Sequence, residues 1–326
     1  MSGHSSFHCT PVISVETMGN RGIALNLPKG MHVALRGRHQ ESETYIRLRG
    51  VTPPMRITHL AFASVLLAAC AGQVTETEPL TFEEFRAQAF QEPDTGVYII
   101  NGDEMAENEA LLHEAYDRYL ESVDTSGIGS STHESIVNTV GGQWDRWSPS
   151  AALNLTYCIT ASGKGAFSAS ERSAVASALN SASGAWEAAG RVNFIYSSGQ
   201  DGNCSSRNNS VVFNVSRVCR GQYLARSFFP SSSRRSRELL VDCTSFGNIS
   251  PWTLAGIMRH ELGHTIGLRH EHTRPESGTC FEDNNWAALT AYDSSSVMHY
   301  PQCNGTQNGD LVLTNLDKTG AGILYP

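Results

Sequence analysis

Three histidines and one glutamate lie close together in the C-terminal third of this chain. They are His260, Glu261, His264 and His270, within the stretch HELGHTIGLRH. Residues four apart share one face of an α-helix, so His260 and His264 can present two imidazoles to a single metal ion. A catalytic zinc ion takes three protein ligands and keeps one position open, and His270 is the candidate for the third ligand. Glu261 is placed to act on a water molecule without being a ligand, which indicates metal-assisted hydrolysis.

The spacing also predicts where the helix must end. Six further helical residues would carry His270 about 9 Å along the axis from His264, too far to share one ion. The helix must therefore stop between them. Gly267 can adopt positive φ and turn the chain back toward the metal.

A second motif, Ser296-Val297-Met298-His299-Tyr300, follows the histidines. Together with the pattern HExxHxxGxxH it resembles the metzincin metallopeptidases and their Met-turn. Within that clan, both this motif and the stretch His270-Glu271-His272-Thr273-Arg274 are most similar to astacins. Residues 150–326 also resemble the bacterial HEIGH metallopeptidases, with Leu262 in place of the isoleucine of that name.

The resemblance implies a role for each matching residue. His260, His264 and His270 would bind Zn²⁺, and Glu261 would be the general base. Met298 would form an apolar floor beneath the metal, although on its own it would pass for an ordinary core methionine. Tyr300 would be the tyrosine that ligates zinc and swings to stabilise the oxyanion. For His272 and His299, a supporting hydrogen bond or a surface position is favoured over metal ligation.

Two further expectations follow from the same resemblance. The stretch 221–230 is similar to the metzincin edge strand, on which an extended peptide adds as a further strand, with Leu224, Ala225 and Arg226 at its centre. An ordinary edge strand is the alternative. Residues 98–103 are similar to an astacin prosegment, in which Asp103 would cap the zinc. The alternative there is a simple Gly-Asp turn.

Composition and charge narrow the class of function. The net charge of −8 and the pI near 5.8 exclude a typical nucleic-acid-binding surface. Residues 73–147 hold 16 of the 32 acidic side chains against three basic ones, whereas residues 148–326 hold 13 acidic and 14 basic. We therefore expect a separate acidic propeptide over 71–147 and a catalytic domain over 148–326.

Eight cysteines are present, and six of them fall in residues 148–326. An even number without a CxxC pair suits three disulfides in an oxidising compartment. Six buried thiols in a cytosolic protein are the alternative. Cys280 and Cys303 bracket the stretch from just after His270 to just beyond the Met-turn, and we expect them to pair.

An export signal is predicted within the chain. Met55-Arg56-Ile57-Thr58-His59 and the apolar run that ends at Cys70 have signal-peptide architecture, and Leu67-Ala68-Ala69-Cys70 resembles the bacterial lipobox. We expect residues 55–70 to be a lipoprotein-type signal with Cys70 lipidated, and residues 1–54 to be a mis-assigned start or an unusual leader. A buried apolar helix is the alternative.

The order of predicted elements indicates an α+β domain. Strands are expected at 153–159, 192–196, 211–215, 223–228 and 239–243, a backing helix at 168–189 and the active-site helix from about Pro251. The metzincin resemblance implies a twisted, mostly parallel sheet.

These observations together predict a secreted or lipid-anchored zinc endopeptidase that is monomeric and acts on proteins or peptides. One alternative is a zinc-binding surface adhesin or pseudoenzyme without turnover. The other is a cytosolic metal-binding regulator.

Overall fold

The computed structural model describes residues 79–125 and 135–326, together with two short strands nearer the N-terminus. The chain divides into two compact units, Met1–Gln73 and Val74–Pro326. In the first unit, β1 (Val15–Glu16) pairs antiparallel with β2 (Ala24–Leu25). The predicted signal peptide, Cys70 and the Ser/Gly-rich stretch around 126–132 lie outside the described residues.

The second unit contains the remaining elements. We refer to residues 79–125 as the N-terminal segment and to residues 135–326 as the main domain. No helix among the described residues is long and apolar enough to span a membrane. In chain order the elements are α1 (Phe82–Gln88), β3 (Phe90–Gln91), β4 (Tyr98–Ile100), β5 (Glu104–Ala106), α2 (Glu109–Thr125), β6 (Ile136–Val140), β7 (Gln143–Trp144), α3 (Pro149–Ala152), β8 (Leu155–Ile159), α4 (Ala169–Glu187), β9 (Phe194–Tyr196), β10 (Phe213–Val218), β11 (Ala225–Arg226), β12 (Glu238–Asp242), α5 (Leu254–Thr265), β13 (Trp286–Ala288) and α6 (Asn315–Leu324).

A five-stranded sheet in the order β11-β12-β10-β8-β9 forms the centre of the main domain. The four strands from β12 to β9 run parallel, and β11 is antiparallel to β12 at one edge. Parallel strands need crossover connections, and the helix between β8 and β9 provides one. The predicted α+β fold with a mostly parallel sheet is confirmed.

Helix α4 backs the active-site helix α5. A capping box starts α4, since Ser168 accepts from the Glu171 amide and Glu171 accepts from the Ser168 amide. Its small alanines permit close helix packing, and the fully buried Trp186 donates its indole N–H to the carbonyl of Arg259 on α5. His260 and His264 are thus carried on a helix that packs against α4.

The N-terminal segment folds against the main domain rather than standing apart from it. Its strands β3, β4 and β5 form a small antiparallel sheet. From this sheet Val97 and Ile99 pack with Tyr223 and Leu240 of the main domain in one apolar cluster. Burial of these side chains holds the segment across the face that carries β11.

Residues 135–147, which the sequence assigned to the propeptide, are an integral part of the main domain. Strand β6 pairs with β13, and Val137 belongs to the main hydrophobic core. The predicted boundary at 148 therefore falls inside one folded body, while the position of any processing site stays a prediction.

Three disulfides stabilise the main domain, as the six cysteines predict. The pairs are Cys158–Cys204, Cys219–Cys243 and Cys280–Cys303. The expected pairing of Cys280 with Cys303 is confirmed.

The start of the active-site helix differs from the expectation. Pro251 lies outside α5, which begins at Leu254 with Thr253 as its N-cap, and the Thr253 hydroxyl accepts from the Gly256 amide. A threonine side chain satisfies a free amide of the first turn, which a proline cannot do, and this fixes the boundary.

Candidate metal centre

The three predicted zinc ligands converge on one point. His260 and His264 project from α5, and His270 lies in the chain that follows it, with Nε2 of His260 only 3.3 Å from Nε2 of His270. All three rings are buried. The structure thus brings together the residues that sequence spacing selected.

Gly267 makes this convergence possible. Helix α5 ends at Thr265, and Gly267 follows with a φ of +100°. A Cβ at this position would overlap the backbone carbonyl of Asp145. Both the backbone conformation and the close approach require glycine, as the motif predicted.

Each ligand imidazole is oriented through its other nitrogen. Nδ1 of His260 lies 2.7 Å from the carbonyl oxygen of Val297, and Nδ1 of His264 lies 2.8 Å from that of Leu268. Nδ1 of His270 lies 2.7 Å from the Glu282 carboxylate. Since these partners are acceptors, Nδ1 is the hydrogen-bond donor in each ring, and Nε2 is the nitrogen that faces the shared point.

The site accordingly fits a cation. Nε2 of His264 is buried without a hydrogen-bond partner. The ligand atoms of Asp103 and of the three histidines all lie within 4.8 Å of one another. Several buried acceptors that face one another are costly unless a positive charge lies between them, and nitrogen and carboxylate donors suit zinc.

Asp103 reaches this point from the N-terminal segment. Its Oδ1 lies 3.0 Å from Nε2 of His270, and its Oδ2 lies 3.2 Å from Nε2 of His260. Gly102 precedes it at a φ of +98°, where a side chain would meet the Tyr300 ring. Asp103 thus lies beside the histidines, and its role as a cap on the zinc stays a prediction.

Glu261 lies beside the first ligand on α5. Its carboxylate is buried, and Oε2 has no hydrogen-bond partner. Burial first, and then the negative charge of Asp103, raise the pKa of Glu261 well above its usual range. The unpartnered oxygen of this carboxyl group is available to a water molecule or a substrate amine.

Met298 packs under the histidines from the Met-turn. A Cβ added to Gly263 of α5 would overlap the sulfur of Met298. The absence of a side chain at Gly263 therefore lets Met298 approach the helix backbone. Met298 is buried, and its carbonyl accepts from the Glu271 amide at 2.9 Å. The Met-turn is thereby tied to the chain that carries His270.

Tyr300 lies against the same histidines. Its ring centroid is 4.5 Å from that of His270 and 5.7 Å from that of His260. Burial and the nearby Asp103 carboxylate raise the pKa of the Tyr300 hydroxyl well above its usual range, so this group stays protonated. A protonated hydroxyl can donate a hydrogen bond to an oxyanion.

The structure also assigns positions to the two extra histidines. Nε2 of His272 lies 3.2 Å from Glu282, and Nδ1 of His272 accepts from the Tyr300 amide. His299 contacts the Tyr292 hydroxyl and the carbonyl of Tyr300. Their geometry matches the supporting hydrogen bonds that were favoured over metal ligation.

Sequence reasoning missed the group that supports His270. The Glu282 carboxylate is hydrogen-bonded to the side chains of His270, His272 and Thr273. Arg269 in turn donates to Glu282 at 2.8 Å and to Asp283 at 2.6 Å. Arg269 lies inside the zinc motif at a position the pattern leaves free. Glu282 follows Cys280 closely, but no local signal links it to a histidine.

The predicted edge strand lies beside the site. Strand β11 forms one edge of the sheet, and Leu224 and Ala225 line a cavity of about 290 Å³ that also contains Glu261 and Asp103. Arg226 is buried and binds Glu92 of the N-terminal segment at 3.0 Å, a contact the sequence did not indicate.

Comparison with known proteins identifies the chain's class. Residues 151–307 match the model Reprolysin_5 of metallopeptidase family M12. No curated protein matches the chain.

Several solved structures are similar in part. A structure of myroilysin is 16% identical with a TM-score of 0.40, and the match covers 59% of this chain and 98% of that one. A crystal structure of myroilysin is 16% identical with a TM-score of 0.38, covering 56% and 86%. High choriolytic enzyme 1, a hatching enzyme zinc-protease from the medaka fish Oryzias latipes, is 20% identical with a TM-score of 0.36, covering 56% and 94%. These scores are low, so the assignment rests on the family model and on the site.

In this α+β domain three imidazoles meet beside a buried glutamate, and a Met-turn lies beneath them. These features define a zinc metalloendopeptidase of the metzincin type. Residues 151–307 belong to metallopeptidase family M12. The resemblance seen in the zinc and Met-turn motifs is confirmed.

Proposed function

We propose that this chain is an exported endopeptidase that is kept inactive by its own N-terminal segment and hydrolyses extended peptides once that segment is removed. The observation that carries the proposal is the convergence of three histidine Nε2 atoms close to a glutamate, Glu261, whose Oε2 has no hydrogen-bond partner. This arrangement serves hydrolysis, because a purely structural zinc site needs no free carboxylate.

His260, His264 and His270 would hold zinc, which when bound would supply a Lewis acid that polarises a carbonyl and lowers the pKa of a water molecule. Glu261 takes the proton from the attacking water and delivers it to the leaving amine. Tyr300 donates a hydrogen bond to the oxygen that becomes negative in the transition state. Met298 and Glu282 hold the histidines in place and do not touch the substrate.

The substrate is a peptide in extended conformation. Strand β11 has one neighbour in the central sheet, β12, so its outer side can accept the backbone of a further strand. Leu224 and Ala225 lie on the wall of the cavity that contains Glu261. Backbone pairing at this edge would align a scissile bond with the glutamate.

The N-terminal segment accounts for latency. Asp103 occupies the position next to three imidazoles that a substrate carbonyl or water would need, and its Oδ1 is 3.0 Å from His270. The carboxylate would therefore act as a fourth, internal ligand in the unprocessed chain. The propeptide is then the N-terminal segment, which lies within the acidic stretch 71–147.

Export is supported by the cysteines and by the predicted signal. Three disulfides in one domain are typical of an oxidising, extracytoplasmic compartment. Lipidation of Cys70 would tether the chain to a membrane until processing. Mass spectrometry of the purified native chain tests this, because a diacylglyceryl-modified Cys70 is expected and an unmodified Cys70 would refute the tether.

The activity test uses the full chain with a specific protease site inserted within residues 126–134, so that it folds intact and is cut afterwards. Casein and a broad set of quenched peptides should be cleaved after the cut, and a chelator should abolish cleavage. The Glu261→Gln variant should retain zinc but lose about 10²- to 10⁴-fold in kcat, the range of a general base. Absence of any chelator-sensitive cleavage, with zinc bound, would favour the adhesin or pseudoenzyme.

A further inference from the structure

A carboxylate of the N-terminal segment is held by three side chains of the main domain. Arg226 binds Glu92 with a two-pronged contact, Nε to Oε1 at 3.0 Å and Nη2 to Oε2 at 3.1 Å. The hydroxyl of Tyr223 and Nη1 of Arg220 each donate to Oε1 at 2.7 Å. Glu92 is 0% exposed and Arg226 is 1% exposed. We refer to Arg220, Tyr223 and Arg226 as the arginine site.

The counter-charges of this site come from the N-terminal segment. Among the described residues, the carboxylates that form ion pairs with Arg220 and Arg226 are Glu92 and Asp94, and Lys164 also pairs with Asp94 at 2.6 Å. The main domain itself offers Arg226 a backbone carbonyl, that of Glu238 at 3.4 Å. Without the segment, two arginines would remain close together with no paired acid, an arrangement that favours binding of an anion.

The arginine site belongs to the substrate edge. Arg226 is in β11 itself, and Tyr223 lines the cavity that also contains Glu261 and Asp103. The same segment therefore places one carboxylate, Asp103, on the histidines and another, Glu92, on β11. Strand β4 runs between the two and packs Ile99 against Tyr223.

We propose that the arginine site is an acid-selective substrate subsite of the processed enzyme, and that Glu92 occupies it in the unprocessed chain in place of a substrate glutamate. The proposal rests on the proposed function, in which the N-terminal segment leaves. Its chemical basis is geometric, because a planar guanidinium fork and a phenol match the two oxygens of a carboxylate. A glutamine of the same shape turns an N–H₂ group toward these donors and leaves them unpaired.

The test starts from the full chain cut within residues 126–134 and freed of its N-terminal segment in high salt. Quenched peptides that carry Glu or Gln at each position in turn are compared by kcat/KM. We expect one position at which Glu is preferred by roughly tenfold or more. Arg226→Gln should reduce that ratio to near one, and Arg226→Lys should restore part of it, because lysine keeps the charge but not the fork.

The matched control is Arg217→Gln on β10. Arg217 pairs with Glu171 of α4 at 3.0 Å, so this variant should leave the Glu/Gln ratio unchanged. Arg220→Gln is a second variant at a less buried position and should lower the ratio even if Arg226→Gln folds poorly. Equal cleavage of Glu and Gln peptides at every position, or a preference that survives in Arg226→Gln, overturns the proposal.

A binding measurement separates this proposal from the proposed function. A fluorescent peptide of residues 88–106 is titrated with the processed chain, with Glu or Gln at position 92. Tighter binding of the Glu92 peptide by roughly tenfold supports an acid-selective site even if no peptide is cleaved. Equal affinity of the two peptides overturns the proposal whatever the activity.

Discussion

The carboxylate of Asp103 lies 3.0 Å from Nε2 of His270, although 167 residues separate the two in sequence. It also contacts His260 at 3.2 Å. An acidic loop in one part of the chain and a zinc motif in another thus form a single buried cluster. This contact places the N-terminal segment against the three histidines of the candidate metal centre.

Replacement of Asp103 tests whether this residue keeps the unprocessed chain inactive. In the uncut chain, Asp103→Ala should raise peptidase activity at least about tenfold, because the loss of one charge-assisted ligand frees the position beside the histidines. Quenched-peptide hydrolysis by uncut protein measures this. Asp117→Ala removes an exposed acid of α2 in the same segment and should change nothing. Unchanged activity of the uncut Asp103→Ala variant would show that Asp103 does not inhibit the unprocessed chain.

Tyr300 should contribute to turnover more than to binding. Tyr300→Phe in the processed chain is expected to lower kcat by about a hundredfold with a small change in KM, the effect of losing one oxyanion donor. Tyr292→Phe is the control, because Tyr292 is not among the residues that line the cavity and its hydroxyl contacts His299 rather than one of the three clustered histidines. Equal kcat values for Tyr300→Phe and the wild type would exclude the tyrosine from the mechanism.

Gly267 should be intolerant of any side chain. Gly267→Ala combines a φ of +100° with a clash at the Asp145 carbonyl, and we expect a loss of about 1–3 kcal/mol or more in the free energy of unfolding. Weaker zinc binding should accompany it, because the turn sets the position of His270. Thermal unfolding and metal titration measure both effects. Gly184→Ala on α4, where a Cβ meets nothing within 4 Å, should instead be neutral or stabilising.

Acid should loosen the N-terminal segment. A hydrogen bond from Lys164 is the largest cause that lowers the pKa of Asp94, from its usual 3.8 to about 2. Burial is the largest single influence and would raise the pKa of Glu92, but the hydrogen bond and charge of Arg226, with the hydrogen bonds of Thr95 and Tyr223, together outweigh burial and lower it. Groups with depressed pKa values stabilise the bound state above their unbound pKa, and this contribution is lost as the pH falls from about 4 toward 2.

Gel filtration of the cut chain over that pH range measures the fraction of segment that still co-elutes. We expect release on acidification in the wild type. In the Glu92→Gln/Asp94→Asn double variant, the segment should bind the main domain more weakly at neutral pH. Acidification should then release a smaller further fraction of it than in the wild type. A wild type and a double variant with identical pH profiles would show that these two acids do not hold the segment.

Much of the catalytic apparatus is readable from local sequence. HELGHTIGLRH specifies its own geometry, because helical spacing pairs His260 with His264 and glycine permits the turn that returns His270. The alternating strands and the alanine-rich helix predict an α+β domain for the same reason, since each pattern depends on neighbouring residues. Even so, the helix start was misplaced, because Thr253 rather than Pro251 caps it.

Only the tertiary structure decided which distant residues complete the site. Glu282 behind His270, Glu92 on Arg226 and the seating of Asp103 depend on long-range packing that brings separate parts of the chain together. No periodicity records such contacts, because an ion pair between distant residues needs only complementary charge and a shared location. By itself the sequence determined a zinc peptidase motif and its domain class. Folding determined the carboxylate that supports His270, the position of Asp103 beside the histidines and the pairing of the arginine site with Glu92. The physical reason is that buried charges acquire partners only where the fold brings them together.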